Sequence, residues 1–331
     1  MVARPDHPVG AVHRMGIKTS SRSTVTLAFI SHADCGRHDN GWRHPEHVGR
    51  VRAITSALKY HPELFMSLEL LEGRHATEQE LALCHDPAYI AAVRELSAAG
   101  GGRFDADTVV SEGSWDAARA GAGCVLEAVE RALDGRNPRS FCAVRPPGHH
   151  ALRAQGMGFC LFGNVAIAAK HALALGAERV LIVDWDVHHG NGTQALVEDD
   201  ARIHFVSMHQ WPWYPGSGAA EDRGPLGTVW NVPMGPGFAA RTYLDALFAA
   251  VDAATAGWTP DLVLVSSGFD SMARDPLGGF TLEVEDVAAL TRGLVERADR
   301  WCGGRLVSAL EGGYDPARVA EGVVAQLKAL Q

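Results

Sequence analysis

Short apolar runs alternating with Ala- and Leu-rich stretches set the strongest limit on how this chain can fold. Runs 24–30, 140–144, 179–184, 203–207, 228–232, 261–267 and 305–310 read as strands. Stretches 48–60, 87–99, 114–133, 164–175, 241–256, 284–300 and 316–330 read as helices, and they separate most of those strands. A helix between consecutive strands implies a right-handed crossover and a parallel sheet covered on both faces. Val180-Leu181-Ile182-Val183 is apolar without alternation, as a strand buried on both sides requires. Gly100-Gly101-Gly102 is a loop too short to separate domains, and no internal repeat is present. The expectation is a single doubly wound α/β domain over 23–331, preceded by a flexible polar arm over 1–22. Its site should lie at the carboxyl ends of the strands.

The charge balance narrows the function. Thirty Lys and Arg stand against 39 Asp and Glu, a net charge of −9, so the basic footprint of a nucleic-acid binder is missing. A cationic small molecule or a lysine-bearing peptide suits such a surface better. The longest uncharged run, 203–220, holds two His, two Pro and two Gly and cannot span a membrane. The first residues include Arg4, Asp6 and His7 without an apolar core, so no secretory signal is read there. Six cysteines form no CxxC pair, and buried, reduced thiols in a cytoplasmic protein are expected.

Charge then breaks the pattern at four strand ends. After Val180–Val183 come Asp184, Asp186, His188 and His189. If the strand continues, alternation points Asp184, Asp186 and His188 to one side. Buried carboxylates need a cation or hydrogen bonds, and an Asp/His set suits zinc or a similar divalent ion. A satisfied polar network at a strand end is the plain alternative. Gly190-Asn191-Gly192-Thr193-Gln194-Ala195 also fits a dinucleotide fingerprint, but Asp184 and Asp186 would repel a phosphate there. The second segment, Arg145-Pro146-Pro147-Gly148-His149-His150, ends in a tandem His pair suited to proton transfer. The third runs through Ser266 and Ser267 to Asp270, and the fourth through Glu311-Gly312-Gly313 to Tyr314. A three-ligand metal with an open position, two imidazoles and a phenol make a hydrolytic site.

These segments are similar to the histone deacetylase family, most of all its class II and bacterial amidohydrolase branch. RPPGHHA, GFCLFGN, DWDVHHGNGTQ, SMH, the DPLGG run and LEGGY occur in order, and the resemblance extends from about His44-Pro45-Glu46 to Tyr314 and beyond. It implies an arginase-like α/β domain with a mostly parallel eight-stranded sheet. It also implies zinc on Asp186, His188 and Asp270, with His149 and His150 as the catalytic pair. Asp184 would orient His149, Asn191 would sit behind His150, and Tyr314 would polarise the amide carbonyl. Phe159 and Tyr214 would flank the acyl-lysine channel, with Gly158 and Gly313 giving it room. Ser207, with carbonyls near Asp184, Asp186, His188 and Met208, resembles a structural potassium site, and Arg50 matches an Arg lining an internal exit cavity in some members. Asp105, Asp107 and Ser111 are the candidates for an acidic rim residue.

The implied activity is zinc-dependent hydrolysis of an acylated amine, such as acetyl-lysine or an acetylpolyamine. One rival is a binuclear manganese arginase-like enzyme. It would need more carboxylates, whereas Met272 follows Asp270 at the next same-side position. The other is a non-catalytic acyl-lysine binder, which the complete His pair and Tyr314 disfavour.

Overall fold

The computed structural model describes residues 1–2 and 26–331. Apart from its first two residues, the arm expected over 1–22 lies outside the described residues, as does the start of the strand expected over 24–30. The chain opens with β1 (Leu27–Ser31), a 3₁₀ turn (Ala33–Arg37), α1 (Gly49–Lys59), α2 (Pro62–Ser67) and β2 (Leu68–Glu72). Next come α3 (Glu78–Leu81), α4 (Pro87–Ala98), the short pair β3 (Gly101–Arg103) and β4 (Val109–Ser111), α5 (Ser114–Leu133) and β5 (Arg139–Cys142). Then follow α6 (Asn164–Ala174), β6 (Val180–Asp184), α7 (Asn191–Val197), β7 (Ile203–Gln210) and β8 (Val229–Met234). The chain ends with α8 (Ala240–Ala254), β9 (Leu262–Ser267), α9 (Val284–Cys302), β10 (Leu306–Leu310) and α10 (Pro316–Leu330).

Among the described residues eight strands form one sheet, in the order β2-β1-β5-β10-β9-β6-β7-β8. Every neighbouring pair in it is parallel. This is the single doubly wound α/β domain expected. The four strands whose ends carry unusual charges, β5, β10, β9 and β6, lie side by side in the middle. Their C-terminal loops therefore open onto one another, although they come from widely separated parts of the chain.

Alternation along these strands builds two cores. Ile30, Cys142, Ile182, Leu264 and Val307 face α5 and α6 through Leu126, Val129, Val165 and Ile167. Phe29, Phe141, Leu181, Val183, Val265 and Leu306 face the other way, onto Leu58, Leu247, Leu294 and Val323 of α1, α8, α9 and α10. Side chains on both faces are thus withdrawn from water, which is why these strands are apolar without interruption.

Several short elements escaped the sequence reading, among them α2, α3, α7 and the strands β2, β3 and β4. β2 reads Leu-Glu-Leu-Leu-Glu, a helix-favouring composition, and it becomes a strand only by pairing along the sheet edge with β1. Its Glu69 pairs with Arg131 at 2.6 Å. The Gly100–Gly102 loop is partly the strand β3, paired antiparallel with β4. All six cysteines are free and buried. Among the described residues no helix is long and apolar enough to cross a membrane.

Ile182 is wholly buried in β6, between two other central strands. Ile182→Ala is expected to lower unfolding stability by about 2–5 kcal/mol through lost transfer energy and a residual cavity. Urea titration would register this as a lower midpoint at unchanged slope.

Candidate active site

The strand β6 stops at Asp184, four residues short of the His188 that alternation assumed. Beyond it, Asp186 N–H donates to Asp184 Oδ1 at 3.0 Å and His188 N–H donates to Asp186 Oδ1 at 2.9 Å. Each carboxylate thereby caps the backbone two residues on. The expectation that Asp184, Asp186 and His188 project together is corrected accordingly. Asp184 turns to His149, with Oδ2 3.0 Å from Nδ1, while Asp186 and His188 converge on Asp270. Met272 likewise occupies a turn beyond β9, and its side chain belongs to the apolar core.

His188 Nδ1 lies 3.0 Å from Asp186 Oδ1 and 3.1 Å from Asp270 Oδ2. One donor atom from each of the three residues falls within 4.8 Å of the others. The remaining oxygens are pinned by backbone: Gly312 N–H donates to Asp186 Oδ2 at 2.7 Å, and Val187 N–H to Asp270 Oδ1 at 2.8 Å. No Arg or Lys hydrogen-bonds either carboxylate among the described residues. Two buried carboxylates and an imidazole with that arrangement fit a divalent transition ion. Glycine makes the cluster possible. A Cβ on Gly312 would collide with the Asp270 and Asp186 oxygens, and one on Gly268 with Asp186. Burial, with the Asp186 charge added, pushes Asp270 up to about 7 against the pull of His188. Burial opposes the His188 cation, but Asp186 and Asp270 raise it to about 10.

The tandem His pair is held from the neighbouring strand. Glu311, wholly buried at the end of β10, accepts N–H bonds from Gly148 at 2.6 Å and His149 at 3.1 Å. His150 Nδ1 lies 2.7 Å from Asn191 Oδ1 at the start of α7. The two rings stand 4.0 Å apart. Burial works against a charged His149, yet Asp186 and Asp184 outweigh it and raise its pKa. Burial lowers that of His150, and the His149 and His188 charges add to the effect. The glycine-rich 190–195 stretch serves this network: a Cβ on Gly190 would strike the Asp184 carboxylate.

Tyr314 follows the Gly312-Gly313 turn. Its N–H donates to Asp275 Oδ2 at 2.6 Å, and Leu277 N–H donates to Oδ1 of the same carboxylate at 2.9 Å. Arg50 Nε donates to Gly313 O at 2.6 Å and a second nitrogen donates to Glu311 O. Its guanidinium carbon sits 5.2 Å from the Tyr314 ring centroid. Arg50 thus braces the turn that presents the phenol.

A cavity of ≈ 270 Å³ is lined by Asp107, His150, Gly158, Phe159, His188, Trp213, Tyr214, Pro276, Leu277 and Tyr314. Phe159 stands edge-on to Tyr314 at 5.7 Å and Tyr214 edge-on to His150 at 5.2 Å, so both expected wall residues meet here. Gly158, at φ 55°, lies against the His150 ring where a Cβ would collide. Gly313 does not line this cavity. Its φ of 112° and the contacts a Cβ would make with Val319 and Phe269 tie it to the packing of α10 instead. Of the three rim candidates only Asp107 reaches the lining. Asp105 accepts N–H bonds from Asp107 and Thr108, and Ser111 Oγ accepts one from Asp39. Trp213 escaped the sequence reading; its indole N–H donates to Leu277 O at 2.9 Å and joins two loops at the mouth. A larger cleft of ≈ 820 Å³ between α1, α9 and α10 holds none of these groups, so chemistry rather than size marks the site.

Ser207 and Met208 are wholly buried on β7, where Ser207 pairs with Asp184 of β6. The Ser207 hydroxyl lies 3.0 Å from His209 Nδ1.

Arg145 anchors the segment leading to the His pair. Its Nε and one terminal nitrogen bind the two Glu46 oxygens at 2.8 and 2.7 Å, and the other nitrogen donates to His38 O at 2.7 Å. Glu46 also pairs with Arg50 at 3.0 Å. All three charges are wholly buried. Burial raises Glu46, but the two guanidinium groups outweigh it and hold the carboxyl far below the usual range. Glu46→Ala leaves two buried cations uncompensated, and an expected loss of about 3–5 kcal/mol follows. Because the folded pKa is depressed, the ionised contribution is complete above the unfolded value of about 4.3 and declines as pH falls below it. Denaturant melts should give a constant wild-type-to-variant gap from pH 7 to about 5, narrowing only in stronger acid.

The histone deacetylase domain matches residues 44–330 of this chain. The histone deacetylase-like amidohydrolase of Pseudomonas aeruginosa is 40% identical over 258 residues, covering 76% of this chain and 68% of that protein. The uncharacterized protein slr0245 of Synechocystis is 42% identical over 308 residues, covering 92% of this chain and 99% of its own length. The crystal structure of the HDA15 HD domain superposes with a TM-score of 0.87 at 35% identity, over 93% of this chain and 88% of that one. Sequence and fold agree across nearly the whole domain, and the chain belongs to the histone deacetylase family.

Proposed function

We propose that this protein is a zinc-dependent amidohydrolase that removes the acyl group from an acylated amine such as acetyl-lysine or an acetylpolyamine. Relatives that are deacetylases and amidohydrolases support amide hydrolysis as the reaction class. One juxtaposition carries the finer reading: His150, His188 and Tyr314 share a single aromatic-walled cavity, with Asp186 and Asp270 immediately behind His188.

Asp186, His188 and Asp270 would hold the ion, which when bound lowers the pKa of water and polarises an amide carbonyl. The protein supplies the rest. Asn191 Oδ1 can only accept, so His150 Nδ1 carries the proton and Nε2 keeps its lone pair toward the cavity. His150 thereby takes the proton of the attacking water. His149 is excluded from the lining and hydrogen-bonded to Asp184; it forms the second half of the pair, through which a proton returns to the departing amine. The Tyr314 O–H donates to the oxygen that gains charge, an effect of roughly 3–4 kcal/mol in comparable oxyanion sites. Phe159 and Tyr214 form a narrow apolar wall suited to an alkyl arm. The amide C–N bond breaks and water adds across it, yielding a carboxylate and a free amine.

Potassium held by Ser207 and the carbonyls of Asp184, Asp186, His188 and Met208 belongs to the same reading, supported by the burial of these groups beside the His149–Asp184 pair. The catalytic domain is assigned to 23–331, and the six free thiols support a cytoplasmic setting. The acidic balance supports a small acylated amine or acyl-lysine partner rather than nucleic acid.

A panel of acylated amines offered to zinc-loaded protein tests the reading; failure to cleave any of them would overturn it. Asp270→Ala should lose the cluster's zinc and all hydrolysis. Full zinc content with normal turnover in that variant would refute the ligand assignment.

Tyr314→Phe removes only the hydroxyl. Turnover on acetyl substrates is expected to fall on the order of 100- to 1000-fold. Trifluoroacetyl substrates should suffer less, because their carbonyls need less polarisation. Small, equal losses on both would make Tyr314 a wall residue only.

A further inference from the structure

Away from the cavity, two loops bring a second set of metal-binding side chains together. β1 and β2 are parallel neighbours, with Ser31 opposite Glu72, and Gly73 N–H donates to Ser31 O at 2.9 Å. The loops that follow therefore leave the sheet side by side. One carries His32 and Asp34, the other His75. His75 Nε2 lies 2.9 Å from Asp34 Oδ2, and His32 Nδ1 lies 3.8 Å from the same oxygen. The imidazole centroids are 4.6 Å apart, and one donor atom from each residue falls within 4.8 Å of the others.

Bonds of about 2.0–2.1 Å to a tetrahedral zinc place neighbouring ligand atoms roughly 3.3–3.4 Å apart. The observed 2.9 and 3.8 Å separations straddle that spacing. Asp34 Oδ1 faces Arg37 at 3.5 Å, but Arg37 bonds Asp116 at 2.6 Å. Oδ2 is thus left to the two imidazoles. His32 Nδ1 also accepts the Asp34 N–H at 3.1 Å. Metal binding would exchange that bond for a coordinate one, which ranks this site below the central cluster in affinity. His32 borders a surface cleft together with Glu72, through which an ion and a completing water can enter.

The contrast with Glu80, Glu130 and His171 is instructive. Those residues are similarly spaced, but Arg74 bridges both carboxylates at 2.7 Å and already supplies the positive charge. Among the described residues no Arg or Lys bonds Oδ2 in the first set.

We propose that His32, Asp34 and His75 form a second divalent-metal site, for zinc or a similar ion favouring nitrogen and oxygen ligands, that clasps the β1 and β2 loops together. The site is independent of the catalytic cluster. It stiffens the 3₁₀ turn whose Cys35 carbonyl accepts an Arg145 N–H at 3.0 Å.

Metal-stripped full-length protein dialysed against zinc alone gives the test, read by elemental analysis. Wild type should hold two equivalents per chain. Asp270→Ala should keep one, His75→Ala should keep one, and the double variant none. Zinc should raise the Tm of Asp270→Ala but not that of the double variant, and His75→Ala should hydrolyse substrate within about twofold of wild type. Saturation of wild type at one equivalent, an Asp270→Ala protein with none, or a His75→Ala protein with two would overturn the site. Should His75→Ala fail to fold, zinc-edge anomalous scattering from wild-type crystals decides. A peak bonded to His32, Asp34 and His75 supports the proposal. Its absence at a zinc concentration that fills the central cluster overturns it.

Discussion

Four carboxylates lie wholly buried where the central strands end: Asp184, Asp186, Asp270 and Glu311. Each would cost several kcal/mol to hold away from water without compensation, and the architecture is organised around supplying it. Backbone N–H groups of Gly148, His149, Asp186, Val187, His188 and Gly312 donate to them. These donors come from the loops after β5, β6 and β10, while the acceptors sit at β6, β10 and beyond β9. No loop is therefore satisfied by itself. The His149 turn needs Glu311, the Val187 backbone needs Asp270, and the Gly312 turn needs Asp186. A network closed across strands in this way admits one arrangement of its polar groups, and a partly satisfied one would be unstable.

Rigidity beneath this network comes from the two apolar cores. Uninterrupted burial on both faces fixes the strand ends, so that hydrogen bonds set the remaining degrees of freedom. Close packing then decides where glycine must stand. Gly268 and Gly312 are required because carboxylate oxygens occupy the space a Cβ would take. Gly313 answers instead to Phe269 and Val319, which links the Tyr314 turn to α10 rather than to the cavity.

Much of this was legible in the sequence because charge at the end of an apolar run is physically expensive and therefore informative. His149, His150, Asp186, His188, Asp270 and Tyr314 all stood out on that ground. Alternation along the chain could not reveal that β6 ends at Asp184, because the turn beyond it is also held by distant groups, with Val187 N–H donating to Asp270 and Gly312 N–H to Asp186. Strand order was equally hidden; nothing local places β10 between β5 and β9. Glu311 read as part of a turn motif, and its role as an anion beneath the His pair appears only once two distant strands adjoin. β2 was missed because its Leu/Glu composition favours a helix and only the edge pairing with β1 overrides it.

The same logic explains why the two adjacent histidines are not equivalent. They share a turn and differ by one residue, yet an acceptor of different charge stands behind each. A carboxylate at His149 Nδ1 stabilises a proton on the ring, whereas the neutral amide of Asn191 at His150 does so far less. His149 then acts on its neighbour, since a cation 4.0 Å away between ring centroids disfavours a second one. Only His150 reaches the cavity. The imidazole whose pKa is lowered is thus the one that lines the cavity, and the one whose pKa is raised lies behind it. That ordering follows from what the fold sets around each ring, the Asp186 and Asp184 carboxylates beside His149 and the Asn191 amide behind His150.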